Sequence, residues 1–185
     1  FLVFKGKAIF VAAFGALKLG PIFVTSYTML ISAWFYARSY GWSFAIGLVL
    51  LILVHELGHG AAARKVGVPV GAPVFIPFFG AAIALRGRPR STVDEAIIAA
   101  GGPGVGGLAA AIVVAASSLV ADPHTAGLLG VVGYAGLVLN LFNLTPVWQL
   151  DGARMLRPVR PGVMLGGAAV LLVALVAAAI HARHL

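Results

Sequence analysis

The chain contains no cysteine and only five acidic residues among 185. The first absence removes disulfide frameworks, thiolate metal sites and cysteine nucleophiles together. Any metal must therefore sit on histidine and carboxylate. Charge of either sign is scarce: 10% of residues are charged and 61% hydrophobic, with mean hydropathy +1.05. A soluble domain would carry about a quarter charged residues, so this composition belongs in a bilayer. The net charge of +8 raises nucleic acid as a partner. The basic residues, however, stand singly or in short groups between apolar runs, which suits anionic lipid headgroups and not nucleic acid.

What the chain does have is long uncharged stretches, to be measured against the roughly 20 residues a spanning helix needs. Spans are expected at about 21–37, 42–63, 96–121, 125–147 and 163–180. In residues 1–20 the run between Lys7 and Lys18 is too short to cross, so this segment reads as an interfacial helix with its lysines at the headgroups. No small-residue cleavage site follows it, which argues against a secretory signal, and the opening Phe1 leads us to expect residues upstream. Residues 66–85 are apolar but broken by Pro69, Pro73 and Pro77, and by Gly67, Gly71 and Gly80. Repeated proline forbids a regular helix, and bare backbone cannot face lipid, so a shielded re-entrant hairpin is expected there.

The expected fold is an all-α polytopic membrane protein with about five transmembrane helices, an N-terminal interfacial helix and a re-entrant β-hairpin-like segment. Residues 1–20 form one segment and residues 21–185 the transmembrane core. Lys5, Lys7, Lys18, Arg64, Lys65, Arg86, Arg88, Arg90, Arg154, Arg157 and Arg160 fall on one side, against Arg38 and Arg183 on the other. The positive-inside rule makes the first side cytoplasmic, together with the N-terminus. Trp34, Tyr36, Tyr40 and Trp42 then form an aromatic belt at the outer interface.

The second span ends in His55-Glu56-Leu57-Gly58-His59, which reads H-E-x-x-H. A helix puts residues four apart on one face, so His55 and His59 can share one metal while Glu56 stays free as a base. A catalytic zinc normally takes three protein ligands. Besides Glu56 the carboxylates are Asp94, Glu95, Asp122 and Asp151. Asp122 and His124 read as a solvated turn on the far side. Asp94 and Glu95 sit where helix caps belong, Thr92 with Glu95 having the spacing of a capping box. Asp151 remains, an ionisable group at the edge of the fourth span and a functional candidate for that reason. The run from Gly101 to Gly107 reads as close helix packing. Gly58 and Gly60 suggest space for water, and Trp148 suggests packing beside Asp151.

The H-E-x-x-H residues, taken with Asn143-Leu144-Thr145-Pro146-Val147-Trp148-Gln149-Leu150-Asp151-Gly152, resemble the paired signatures of the site-2 protease family of intramembrane zinc metalloproteases. The resemblance covers roughly residues 21–156. It implies hydrolysis of a peptide bond within or next to a transmembrane segment of a membrane-protein substrate, with one Zn2+ per chain. It also implies His55, His59 and Asp151 as zinc ligands, Glu56 as general base and Asn143 near the oxyanion. Asn143 is neutral and can donate to a developing oxyanion without burying another charge, whereas Asn140, one turn earlier, suits an interhelical hydrogen bond. Nothing in these residues resembles the PDZ or CBS domains that some members carry. The alternatives are a channel or transporter, against which the spans show no inverted repeat of broken helices, and a catalytically inactive relative that binds membrane helices. The substrate and the oligomeric state leave no mark in the sequence.

Overall fold

The computed structural model describes residues 21–77 and 80–159. The expected interfacial segment at 1–20 and the expected span at 163–180 lie outside them. The described elements run in the order α1 (Pro21–Tyr40), α2 (Trp42–Lys65), β1 (Val70–Ile76), β2 (Gly80–Leu85), α3 (Thr92–Ser117), α4 (Pro123–Asn143) and α5 (Asp151–Met155). The fold is mostly helical, with one two-stranded antiparallel hairpin. Among the described residues, α2, α3 and α4 are long and apolar enough to cross a membrane.

Local chemistry sets the helix boundaries. Gly41, at φ +82°, is in the left-handed region that breaks α1 from α2. At α3, the cap is Ser91 and not the expected Thr92–Glu95 box: the Ser91 hydroxyl accepts from the Asp94 N–H at 3.0 Å. Glu95 is thereby free to face outward from the first turn, where it meets Arg157 at 2.5 Å and Arg154 at 3.4 Å. Asp122 also proves to be more than a solvated turn. Its carboxylate caps α4 by accepting from the Thr125 N–H at 2.8 Å, with Pro123 at the first helical position. The Thr125 hydroxyl, together with that backbone N–H, holds the Asp122 carboxyl below its ordinary range. Helix α4 stops at Asn143, short of the expected 147, because Pro146 has no N–H and disfavours helical backbone at Thr145.

The hairpin matches the proline reading of residues 66–85. Its register pairs Pro73 with Ile83, Val74 with Ala82 and Phe75 with Ala81. Phe75 sends its N–H to Thr28 Oγ1 at 3.1 Å, and the Pro73 carbonyl accepts from Thr25 Oγ1 at 2.6 Å. Both residues thus direct their backbone polar groups away from β2 and onto α1, so the N–H missing at Pro73 costs the ladder nothing. By the same alternation Ala81 and Ile83 direct theirs away from β1. Among the described residues no strand pairs with that outer edge of β2. The Phe75 side chain, 1% exposed, anchors the hairpin in a cluster with Ala33, Val49 and Ile52. A second cluster, Leu51, Ala110 and Val132, joins α2, α3 and α4.

Candidate metal centre

His55 and His59 lie one turn apart on the buried face of α2. Opposite them, the Gly-rich half of α3 is the surface into which the two imidazoles fit. A Cβ on Gly102 would collide with the His59 ring, and one on Gly106 would stand 2.7 Å from Asn140 Oδ1 and 2.9 Å from His55 Cβ. A Cβ on Gly58 would strike the Gly101 carbonyl, and one on Gly101 would lie 2.5 Å from the Gly58 carbonyl. The glycine run therefore lets α3 approach α2 backbone to backbone and leaves room for the rings. Gly58 is filled by that crossing and offers no passage for water, a correction to the sequence reading. Gly60, by contrast, does border a cleft under the hairpin.

The third member arrives from α5. Asp151 opens that short helix after the turn at 144–150, and Gly152 permits the approach, since a Cβ there would collide with the Leu144 carbonyl. Trp148 in this turn has φ +49° and is 80% exposed, so it makes the turn and does not pack beside Asp151 as the sequence suggested. Arg154 and Arg157 tie the segment to Glu95 at the start of α3.

The resulting geometry is tight. Asp151 Oδ2 lies 3.3 Å from His55 Nε2 and 3.1 Å from His59 Nε2, and the two Nε2 atoms are 3.1 Å apart. All three residues are buried. Each ring's far nitrogen has a partner that fixes its proton. Asn140 donates from Nδ2 to the Gly136 carbonyl at 2.8 Å, which turns its Oδ1 towards His55 Nδ1, also at 2.8 Å. His59 Nδ1 is 2.8 Å from the Ile98 carbonyl and 3.3 Å from the Gly102 N–H. It cannot serve both, and a carbonyl can only accept, so the shorter contact puts the proton on Nδ1. Both Nε2 atoms then present lone pairs to each other and to a carboxylate oxygen, with no proton among the three.

Three acceptors at such distances suit a cation between them. The donor set of two imidazoles and one carboxylate suits zinc. With zinc bonds of about 2.0–2.2 Å, tetrahedral ligand atoms stand roughly 3.3 Å apart, close to the spacing here. The residues thus fit the ion. Burial alone would raise the Asp151 carboxyl; when His55 and His59 carry protons towards it, their hydrogen bonds override that and hold it down to about 2, and a cation would take the place of those protons.

Of the other residues singled out by sequence, Glu56 is buried beside the cluster, with the Ile83 backbone near its carboxylate. Asn143 is half-buried and donates from Nδ2 to the Leu139 carbonyl of its own helix at 3.1 Å. The sequence reading gave Asn140 an interhelical hydrogen bond without finding its partner, His55. It also read the α3 glycines as packing without seeing what they pack against. Such contacts join residues 43 to 85 positions apart and leave no spacing signal.

Residues 43–126 match the family model described as Peptidase family M50. This stretch holds the H-E-x-x-H helix, the hairpin and the α3 glycines. The matched stretch is less than half of the chain, and it agrees with the resemblance of the two motifs to the site-2 protease family. Among similar proteins, the "Putative zinc metalloprotease Rip3" of Mycobacterium tuberculosis is 33% identical over 117 residues, covering 61% of this chain and 30% of that protein. The "Zinc metalloprotease MJ0392" of Methanocaldococcus jannaschii is 31% identical over 114 residues, covering 60% and 32%. The "Putative zinc metalloprotease sll0528" of Synechocystis sp. is 27% identical over 116 residues, covering 62% and 30%. The match thus spans about a third of the length of these relatives.

Proposed function

We propose that this chain is the catalytic core of an intramembrane zinc metalloprotease, hydrolysing a peptide bond within or next to a transmembrane segment of a membrane-protein substrate. The observation that carries the reading is the convergence of three lone pairs from His55, His59 and Asp151, with a buried carboxylate, Glu56, next in sequence to the first of them.

His55, His59 and Asp151 would hold one zinc per chain. Such an ion supplies Lewis acidity, polarising a carbonyl and making water acidic enough to lose a proton near neutral pH. The chain's own residues do the rest. Glu56 takes the proton from the attacking water on a carboxylate oxygen and returns it to the leaving amine. Its placement on the same helix as the two imidazoles keeps that carboxylate close to the reacting centre without making it a ligand. Asn143 has a second N–H proton beyond the one given to Leu139, and directs it at the oxyanion that develops on the scissile carbonyl. Asn140, through His55, and the Ile98 carbonyl, through His59, hold the rings in one tautomer, as carboxylates and carbonyls do behind metal-bound histidines generally.

A helical substrate hides its peptide bonds in its own hydrogen bonds, so it must unwind before attack. The outer edge of β2 offers the Ala81 backbone and the Ile83 carbonyl to an extended strand, beside Glu56. The expected setting is a bilayer crossed by about five helices, with the site near the cytoplasmic side and the N-terminus cytoplasmic, as the distribution of arginine and lysine favours.

The test is metal content and cleavage of a transmembrane substrate by the purified chain and its Glu56→Gln variant. Zinc should stay at one per chain in both, and cleavage should fall by several orders of magnitude in the variant. A fully active Glu56→Gln would remove the assigned base.

A further inference from the structure

A cleft of about 340 Å³ lies between α2 and the hairpin, lined by Leu57, Gly60, Arg64, Pro73, Ile83 and Arg86 among others. Its apolar wall reaches Ile83, whose backbone lies near the Glu56 carboxylate. Its other wall carries two exposed guanidiniums, one from the last turn of α2 and one just beyond β2. The Arg86 position is set by its own backbone, whose N–H donates to the Pro69 carbonyl at 2.8 Å. Its Nε points back over the strand, 3.8 Å from where a Gly71 side chain would begin.

These two cations lack anions. At this end of the bundle the carboxylates are already engaged: Asp94 with Arg90, Glu95 with Arg154 and Arg157, and Asp151 with the two histidines. Among the described residues no ion pair reaches Arg64 or Arg86. Arg88 and Arg90 lie beyond the cleft lining, and Arg90 is tied to Asp94 and to the Val66 carbonyl. Arg64 and Arg86, in contrast, line a cleft that runs to Leu57, the residue after the base.

We propose that Arg64 and Arg86 form a subsite for an acidic side chain of the substrate, on the flank that emerges at the arginine-rich end of the bundle. This rests on the proteolytic reading above and adds a specificity to it. The helix fixes the register. From position 56 to position 64 is eight residues, about 12 Å along the helix axis. An extended strand advances about 3.3 Å per residue, so the acid belongs roughly three or four residues from the scissile bond. A carboxylate there meets two guanidiniums in a partly desolvated cleft, where charge-assisted hydrogen bonds are stronger than at an open surface.

The experiment uses the full chain in phosphatidylcholine nanodiscs with synthetic transmembrane peptides identical except for Glu, Gln or Lys, scanned along one flank. Cleavage gives kcat and KM, and fluorescence anisotropy with the Glu56→Gln chain gives affinity independently of hydrolysis. The Glu peptide should show a KM and Kd about tenfold lower than the Lys peptide at one flank position, with kcat little changed. Arg64→Glu with Arg86→Glu should reverse the order, and the milder Arg64→Gln with Arg86→Gln should flatten it, both with zinc content intact. Equal KM and Kd for the three peptides would overturn the subsite and leave the protease standing. Preferred binding of the Glu peptide with no cleavage of any peptide would overturn the protease and leave the anion subsite. A charge effect that appears only when phosphatidylglycerol is added would assign the arginines to lipid and overturn the proposal.

Discussion

The glycine-bearing stretch of α3 and its alanine-rich remainder pack against different neighbours. In the half nearer the metal cluster, Gly101, Gly102 and Gly106 stand against the Gly58 backbone, the His59 ring and the His55–Asn140 pair, so that a single methyl group has nowhere to go. In the far half the glycines belong to the partner: a Cβ on Gly133 of α4 would stand 2.8 Å from Val114 N and 3.0 Å from the Ala110 carbonyl, and Ala110 joins Leu51 and Val132 in an apolar cluster. Lipid cannot drive helices together as water does, so close backbone approach carries the association at both ends. The near half is thus a mould for two imidazoles, and the far half packs helix against helix.

The largest effect that would break this comparison is a methyl group at Gly102. Gly102→Ala must displace the His59 ring; it should abolish high-affinity zinc binding and cost at least the roughly 1–3 kcal/mol typical of overpacking. Gly127→Ala in α4, where nothing lies within 4 Å, should leave zinc binding unchanged and stability level or slightly raised. Metal titration and thermal unfolding of the two variants make the check. Equal loss in both would mean that contact with the His59 ring is not what makes Gly102 special.

Next in size is Asn140. Replacing it by Leu keeps the volume roughly and removes the acceptor at His55 Nδ1, which should weaken zinc binding about 10- to 100-fold, the usual cost of losing such a partner. The affinity measured by competition with a chelator of known strength is the readout. The same change at Asn143, which bonds within its own helix, should leave zinc affinity nearly untouched and lower cleavage instead.

The smallest effect concerns acid. Asp151, held down to about 2, gains its stabilisation above its ordinary pKa near 3.8 and loses it only as pH falls through about 2. Metal ligands must be deprotonated to bind, so zinc affinity should fall as pH drops. Zinc release followed by a metal indicator should be complete before pH falls to about 2, with no further step assignable to Asp151. A release step that appears only as pH falls towards about 2 would contradict this order.

Much of the site was legible from spacing alone. The four-residue step from His55 to His59 fixes a helical face, and the shortage of carboxylates leaves Asp151 as the natural third member. The prolines at 69, 73 and 77 marked the hairpin, because a residue without N–H cannot continue a helix. What spacing could not show were relations between segments distant in the chain. Asn140 meets His55 from 85 positions away, and Gly102 cradles His59 from 43. Local chemistry also shifted boundaries: Ser91 outcompetes Thr92 for the cap, which turns Glu95 from a capping residue into the anchor for the two arginines of the Asp151 segment. Trp148 was misread because bulky residues rarely accept left-handed backbone, and only the geometry of the turn reveals that it does.

The most direct test of the central claim is the zinc stoichiometry of the purified chain beside its Asp151→Ala variant, with Glu56→Gln as the control that keeps all three ligands. The account predicts one zinc per chain in the first and third, and loss of high-affinity zinc in the second. Zinc bound as tightly by Asp151→Ala as by the unaltered chain would contradict it.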